Sequence, residues 1–317
     1  MLRKGTFILM KTKIQDMTSG SPGRLIILFA IPLMLGNICQ QLYTMVDTMV
    51  VGQVVGVEAL AALGAVDFLM WVVTGISTGL TQGFSIQLSQ YYGAKDFENL
   101  RKSLAHSYRL TAFIAAGVLI LSQSFASLVL AGLHTPSNII GMSLLYLRII
   151  FCGIPATAAY NMFASALRAM GNSKTPLTAM IIASVLNVSL DILFVAGLGW
   201  GVAGAAIATV IAQSFSAVYC FLILRRIDIV HLTRADFMPA AGMNARLMKL
   251  GIPVVFQNII IGVGGLVVQY VINGYGFLFV AGFYSYKQAL WSAGNGCYFL
   301  WICHRYLCGS ESGSRKD

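Results

Sequence analysis

Three acidic residues stand inside long apolar stretches of the sequence, where a charge needs a partner. They are Asp47, Asp67 and Asp191. A charged side chain near the centre of a membrane-spanning helix costs about 2.5–3.5 kcal/mol on insertion scales, so each acid needs a structural or functional reason. Two carboxylates that meet in such surroundings repel each other, and a shared proton or a bound monovalent cation would relieve that repulsion.

Two of these acids stand at a similar depth in their apolar runs, together with two uncharged polar residues. Asp47 is near the far end of the first run, and Asp191 is about 15 residues into the fifth (191 − 176), at about 1.5 Å per residue. Asn187 precedes Asp191 by four and shares its helix face, and Thr209 is at similar depth in the sixth run. The four predict a proton or Na⁺ site, with a structural polar network as the alternative. No His or thiolate accompanies them, which excludes a transition metal.

The first apolar run carries a polar stripe that leads to Asp47. Its members are spaced by four, three and three residues, and they are Asn37, Gln41, Thr44 and Asp47. A polar stripe on a membrane helix is expected to face protein or a wet cavity, so these side chains are candidates for a cavity lining. Asp67 either joins the acid cluster or lines the same cavity. Pro32 leaves one carbonyl of the helix unpaired, which permits a hinge or a simple kink.

These residues lie on membrane helices, as the composition indicates. Of 317 residues, 57% are hydrophobic and only 10% are charged, and the mean hydropathy is +0.78, far from soluble usage. A helix needs about 20 apolar residues to cross the hydrocarbon core. Seven runs of the sequence qualify: 24–51, 58–83, 108–133, 139–165, 176–198, 202–224 and 250–272. The sequence therefore predicts an all-α polytopic membrane protein.

Basic residues alternate between the connections of these runs. Lys and Arg are abundant before the first run and after the second, fourth and sixth, whereas the connections 52–57, 134–138 and 199–201 contain none. By the positive-inside rule the N-terminus is cytoplasmic. The net charge of +10 does not indicate nucleic-acid binding, because the basic residues occupy short loops rather than one stripe interleaved with aromatics.

An internal repeat divides the chain. Ile31-Pro32 with Asn37 recurs as Ile252-Pro253 with Asn258, and both separations are 221 residues (253 − 32 and 258 − 37). Six runs lie between the copies, so both enter the membrane in the same direction, as in transporters with parallel repeats. The boundaries expected are a cytoplasmic segment 1–23, a six-helix lobe 24–224, a cytoplasmic linker 225–249 and the start of a second lobe at 250–283.

Several segments resemble the multidrug and toxic compound extrusion (MATE) family. They are the first-helix segment up to Gly64, TQGFSIQLSQYYGAKD at 81–96, YLRIIFCGIP at 146–155, RAMGNSKTP at 168–176 and GVAGAAIATVIAQ at 201–213. The resemblance extends from about Gly20 to Phe283. It implies a MATE-type six-helix N-lobe followed by the first helix of a C-lobe, around a central cavity.

The same resemblance implies a function. Members export organic cations by antiport with Na⁺ or H⁺, and Asp47, Asn187, Asp191 and Thr209 match the N-lobe cation site of archaeal and bacterial members. A bend of the first helix, here at Pro32, is attributed to some of them. We therefore expect a monomeric, multi-pass protein of the bacterial inner membrane that needs no cofactor beyond the coupling ion.

Other functions fit less well. A lipid-linked oligosaccharide flippase shares the architecture, but it favours an arginine-rich cavity, and Arg148 is the only basic residue deep within a run. An enzyme is not expected, because no His-rich motif, nucleophile elbow or pair of catalytic acids near an interface is present. A non-functional fragment of the exporter is the third alternative, and the end of the chain is the reason for it.

The family pattern stops after Phe283. The segment 284–317 places Lys287, Trp291 and three cysteines where an eighth span is expected. Suitable codons for KQALWSAGNGCYFLW (287–301), read one nucleotide later, give the family-like NKLYGLLEMAATSYG. We therefore interpret 284–317 as an out-of-frame tail and expect the chain as written to be inactive in export, since one wall of the cavity would be missing.

The coding sequence tests this interpretation. A one-nucleotide shift near codon 284 should restore a long family-like frame, and growth assays with an ethidium-like cation should show protection by the restored gene but not by this chain. The interpretation is wrong if no such shift exists or if the chain as written protects cells.

Overall fold

A computed structural model describes residues 22–238 and 242–290, and this part of the chain is almost entirely α-helical. The α-helices, in chain order, are α1 Pro22–Val54, α2 Val57–Gly93, α3 Phe97–Gly132, α4 Ile140–Cys152, α5 Ile154–Ala169, α6 Lys174–Asp191, α7 Gly201–Leu224, α8 Met243–Asn273 and α9 277–290. A π-helical turn, Ile192–Gly197, directly follows α6. The predicted all-α class is confirmed.

The helices have the length and apolarity that a bilayer demands. Five of the described helices are each long and apolar enough to cross a membrane, namely α2, α3, α6 with its π-helical turn, α7 and α8. The bent pair of α4 and α5, taken together as one span, makes a sixth. Helix α1 is 33 residues long and contains the first apolar run predicted from the sequence, 24–51. Large apolar side chains point outward along α3, where Phe113 is 80% exposed. Such a surface fits lipid rather than water.

The helices extend beyond the apolar runs predicted from the sequence. Helix α2 continues ten residues past 83 to Gly93, α3 starts at Phe97, and α8 starts at Met243 rather than at 250. Helix α8 thus begins within the predicted linker 225–249, because a hydropathy pattern detects only the apolar part of a helix and misses its polar first turns. The boundaries of the linker and of the lobes stay a prediction. At the start of α3, the Asp96 carboxylate accepts hydrogen bonds from the backbone and side-chain nitrogens of Asn99, and these bonds hold the pKa of Asp96 below its ordinary value.

The fourth predicted span is broken rather than continuous. Helices α4 and α5 meet at an angle of 46° around Gly153. Pro155, at the start of α5, has no backbone N–H, so a helix running through it would lose a hydrogen bond. Gly153 also lies against Val210 of α7, where an added Cβ would come within 2.6 Å of that side chain. The bend and the close approach of α7 therefore coincide.

Helix α2 is the centre of the bundle. In its apolar stretch 56% of the residues are buried, against 17% in α3 and in α8. Small side chains on α2, such as Ala61, Ala62 and Ala65, are completely buried. Helices α3, α5 and α8 pack around it.

Glycines allow α8 to approach α2 closely. Gly75, Gly79 and Gly83 recur at every fourth position on α2, on the face that meets α8. A Cβ at Gly83 would lie 2.3 Å from the Cα atom of Gly251, a distance that real Cβ atoms do not reach. Small-residue stripes of this kind let backbones approach in membrane bundles. Asn258 adds a hydrogen bond of 3.0 Å from its side-chain amide to the Gly75 carbonyl.

The repeated sequence occupies equivalent positions in two helices. Pro32 lies ten residues after the first residue of α1 (32 − 22), and Pro253 lies ten residues after the first residue of α8 (253 − 243). Both helices continue through their prolines. The register of the repeat is thus preserved in the helix boundaries.

The linker between α7 and α8 is fastened to the first turns of α3. The two ring nitrogens of the buried His106 lie 2.7 Å from the Asn244 side-chain oxygen and 3.0 Å from the Met238 carbonyl. The Arg109 guanidinium donates a hydrogen bond of 2.9 Å to the Phe237 carbonyl. The segments rich in Lys and Arg that flank α3, α7 and α8 therefore meet at one end of the bundle.

The end of the chain is described only as far as residue 290. Residues 284–290 continue α9, and Tyr284 and Gln288 are buried there. The remainder of the predicted out-of-frame tail, 291–317, lies outside the described residues, as does almost all of the N-terminal segment 1–23. The out-of-frame interpretation stays a prediction.

The α2–α8 contact predicts opposite effects of one substitution at two glycines. Gly83→Ala should lower the stability of the purified protein in detergent by about 1–3 kcal/mol, because the added methyl group has no space beside Gly251. Gly117→Ala in α3 is the matched control, since nothing lies within 4 Å of its Cβ position, and it should raise stability by up to about 1 kcal/mol through helix propensity. Equal shifts of the thermal unfolding midpoint in the two variants would contradict this packing.

Candidate functional site

Three helices bring the predicted polar residues together. Helix α1 packs against α6, and α6 packs against α7. Asp47 comes from α1, Asn187 and Asp191 from α6, and Thr209 from α7. The side-chain amide of Asn187 reaches the Thr209 hydroxyl oxygen at 3.4 Å. Asp47 lies close enough to Asp191 for the two carboxylates to repel each other when both are charged.

The cluster is buried and short of hydrogen-bond donors. Asn187 and Asp191 have no exposed surface, and Asp47 is 6% exposed. Both carboxylate oxygens of Asp191, one of Asp47 and the amide oxygen of Asn187 are buried and have no hydrogen-bond partner in the described part of the chain. Buried polar atoms are paired in the great majority of cases, so several orphaned oxygens at one place call for an explanation. A proton or a small cation between them would provide the missing partner.

The chemistry of the donors suits a hard monovalent cation. Carboxylate, amide and hydroxyl oxygens face one another, and oxygen is the ligand type that hard cations prefer. The same oxygens can hold a proton, because two carboxylates in a medium of low dielectric constant resist ionising together. The role of Asp47, Asn187, Asp191 and Thr209 as a cation site stays a prediction, for which this geometry provides the physical basis.

A local distortion of the helix begins at the site. The α-helical part of α6 ends at Asp191, and the π-helical turn Ile192–Gly197 follows at once. Single π-helical turns within α-helices are rare and frequently mark functional sites. The turn is held by α7, since Gly204 packs against the backbone of Phe194, and by stacking of Phe194 on Trp200 at 5.0 Å between ring centroids. The hydropathy pattern carried no signal for this turn.

Three tyrosines that the sequence analysis did not identify lie within electrostatic range of Asp47. They are Tyr43 on α1, Tyr146 on α4 and Tyr284 on α9. Tyr43 precedes Asp47 by four residues, so its position on the polar face was readable from the sequence. Tyr146 and Tyr284 come from distant parts of the chain, and only the folded structure brings them near.

The residues predicted to line a cavity lie in different environments. Asn37 is exposed, whereas the Gln41 amide donates a hydrogen bond of 2.9 Å to the Gln288 side-chain oxygen on α9. The Thr44 hydroxyl donates to the Gln40 carbonyl of its own helix. Pro32 is buried inside α1, and the helix is continuous through it. The hinge at Pro32 and the cavity lining stay predictions.

Asp67 has a partner that neither sequence-based alternative anticipated. Its carboxylate forms an ion pair with the Lys287 ammonium group on α9, and the two side chains are only 22% and 17% exposed. The same ammonium lies 4.2 Å from the centroid of the Phe68 ring and 5.8 Å from that of Tyr284, within the range of cation–π attraction. Asp67 thus ties α2 to α9.

Comparisons with known proteins identify relatives of this chain. The model of the MatE family matches residues 32–193. "Probable multidrug resistance protein YpnP" of Bacillus subtilis is 31% identical over 271 residues, which are 86% of this chain and 61% of that protein. "Multidrug export protein MepA" of Staphylococcus saprophyticus is 23% identical over 80% of this chain and 57% of that protein. The chain therefore spans about three fifths of the length of these relatives.

A solved structure shares the fold. It is described as the inward-facing conformation of a multidrug resistance MATE family transporter of the MOP superfamily. It superposes with a TM-score of 0.73, covers 80% of this chain and 60% of the other, and is 23% identical in sequence. At that identity the likeness shows the architecture of the helices.

The Asp67–Lys287 pair predicts a non-additive effect on stability. Asp67→Asn should lower the free energy of unfolding by about 1–3 kcal/mol, because it leaves the Lys287 ammonium without its counter-charge in a half-buried position. Asp67→Asn combined with Lys287→Met should recover part of that loss. Glu98→Gln is the control, since it breaks an exposed pair with Lys102 that should contribute less than about 1 kcal/mol. Thermal unfolding in detergent measures these three variants, the Lys287→Met single variant and wild type, and strictly additive losses would contradict the pairing.

Proposed function

The chain belongs to the MatE family, and on that premise we propose that its helices form the cation-binding lobe of a multidrug exporter that exchanges organic cations for Na⁺ or H⁺. The names of relatives support this proposal, since YpnP is described as a probable multidrug resistance protein and MepA as a multidrug export protein. The chain spans only part of their length, so the activity proposed is that of the two-lobe architecture to which these helices contribute.

One observation carries the proposal of cation coupling. Asp47 and Asp191 face each other on neighbouring helices with buried carboxylate oxygens that lack hydrogen-bond partners within the described residues. A purely structural network would satisfy these oxygens, because an unpaired buried polar group destabilises the fold. A site that must bind and release a cation in turn needs oxygens that have no permanent partner.

Cation exchange at this site would act on the position of α1. A proton or Na⁺ between Asp47 and Asp191 removes their repulsion and favours close packing of α1 on α6, whereas its release favours their separation. A ligand shifts such an equilibrium only by its difference in affinity for the two states, and the carboxylate pair provides that difference.

The orientation follows from the basic segments. Lys and Arg residues beside α3, α7 and α8 stand at one end of the bundle, where the linker is bound to α3 by Arg109 and His106. We place this end on the cytoplasmic side of the bacterial inner membrane. The N-terminus then lies inside, and Asp47 and Asp191 lie in the outer half of the membrane. We propose that the protein acts as a monomer.

The charge of the site favours a cationic substrate over an anionic one. Two buried carboxylates would repel the phosphate groups of a lipid-linked oligosaccharide. Arg148, the only deep basic residue found in the sequence, is exposed on the surface of the bundle and so provides no counter-charge in a cavity. The flippase alternative therefore has no feature that favours it.

Cation binding by the purified chain tests the proposal. Na⁺ should raise its thermal unfolding midpoint in detergent. At a Na⁺ concentration 100 times the Kd of the site, binding stabilises the folded protein by about 2.7 kcal/mol. The effect should weaken as the pH falls, because protons compete for the same carboxylates. A site selective for protons would show the pH dependence alone. Asp47→Asn and Asp191→Asn should remove both responses, and Asp228→Asn, at a fully exposed acid, should leave them unchanged.

The proposed site is wrong if wild type and both site variants respond identically to Na⁺ and to pH. A loss of the response in Asp228→Asn as well would show that the effect is one of net charge rather than of this cluster.

A further inference from the structure

A concave site lies away from the carboxylate cluster, between α3, α5 and α7. It is a groove of about 340 Å³, within the size range of small-molecule sites. Its α3 wall follows one helix face from Tyr108 through Thr111 and Ala115 to Leu119, a length of about 16 Å. No Asp, Glu, Lys or Arg is among the residues that line it. The groove therefore suits a long apolar group.

One polar atom in the wall of this groove has no partner. The Thr111 side chain is 8% exposed, and its hydroxyl is buried without a hydrogen-bond partner in the described part of the chain. Other threonines of these helices, such as Thr74 and Thr78, donate to the carbonyl four residues earlier. The hydroxyl oxygen itself has no accessible surface, so the side chain offers a ligand in the groove no hydrogen-bonding atom, and this stretch of the wall is apolar.

The groove has a polar end that is marked by aromatic rings and an arginine. Tyr108 and Phe163 are in edge contact at 5.4 Å between ring centroids, and Phe163 lies 5.2 Å from Phe221. The Arg225 guanidinium carbon lies 5.5 Å from the centroid of the Phe221 ring. Arg225 is exposed and forms no ion pair with an acid in the part of the chain that the structure describes. A free positive charge thus stands at the mouth of an apolar groove.

We propose that this groove binds one anionic phospholipid. The acyl chain occupies the apolar length beside Ala115 and Leu119, and the phosphate lies against Arg225. The order of these features along the helices is that of a lipid, since Tyr108, Phe221 and Arg225 are at the basic end of the bundle and Leu119 is deeper. Basic residues beside grooves between membrane helices recognise anionic headgroups in this way.

Charge distinguishes this occupant from the organic cations of the proposed transport function. A cationic amphiphile would meet Arg225 at the mouth and no carboxylate along the walls. A free anion would find no polar wall beyond the arginine. The chemistry of the groove matches a molecule that is apolar for most of its length and negatively charged at one end.

Native mass spectrometry of the full chain tests the proposal. The purified protein in detergent is incubated with equal amounts of palmitoyl-oleoyl phosphatidylglycerol and phosphatidylcholine, and in a separate arm with a cationic lipid of equal chain length. We expect one phosphatidylglycerol to be retained in preference to the other two lipids. Arg225→Gln should reduce this preference about fivefold, the change for an energy of about 1 kcal/mol per arginine near a membrane surface. Arg234→Gln is the matched control, since it removes an exposed arginine outside the groove.

One further variant keeps the test decisive if Arg225→Gln does not fold. Ala116→Phe places a ring at an exposed position of the groove wall and should abolish retention of the lipid. The proposal is overturned if the three lipids are retained equally, or if Ala116→Phe retains phosphatidylglycerol as wild type does.

Discussion

The interior of a bilayer offers no hydrogen-bond partner to a peptide group, and this constraint shapes the whole molecule. It explains why the described chain consists of long helices, in which each backbone group finds its partner within the same segment. It also explains where the helices deviate. The break at Gly153 coincides with Pro155, which cannot donate, and the π-helical turn after Asp191 lies against α7, where Gly204 and Trp200 pack around it.

Without a hydrophobic force between helices in lipid, close contact has to come from shape and from a few polar pairs. The glycines of α2 allow the backbone of α8 to lie directly against the backbone of α2. Asn258 adds one hydrogen bond between the two helices, to the Gly75 carbonyl. Helix α1 meets α9 through Gln41 and Gln288. Its repeat counterpart α8 meets α2 at Gly262. Gly262 follows Gln41 by 221 residues (262 − 41), the spacing of the repeat. The first helix of each copy therefore packs against a helix of the other half, as two repeats related by an axis along the membrane normal would.

The polar groups that stay unsatisfied are the most informative ones. Most side-chain hydroxyls of the helices bond to a carbonyl one turn earlier, which is the inexpensive solution in an apolar medium. The Asp191 carboxylate and the Asn187 amide oxygen have no partner among the described residues. Both stand on α6, and Asp47 of α1 lies within electrostatic range of Asp191. This deficit points to a small cation between the two helices.

Much of this arrangement follows from the sequence alone. Apolar runs of about 20 residues mark the helices because only such segments are stable in hydrocarbon, and depth along those runs was enough to group Asp47, Asn187, Asp191 and Thr209. Other features depend on contacts between distant segments, which periodicity cannot reveal. Among them are the pairing of Asp67 with Lys287, the approach of Tyr146 and Tyr284 to Asp47, and the bend at Gly153. A one-dimensional pattern records how deep a side chain lies and which face of its helix it occupies, whereas its partners are decided by how the helices rotate and pack against one another.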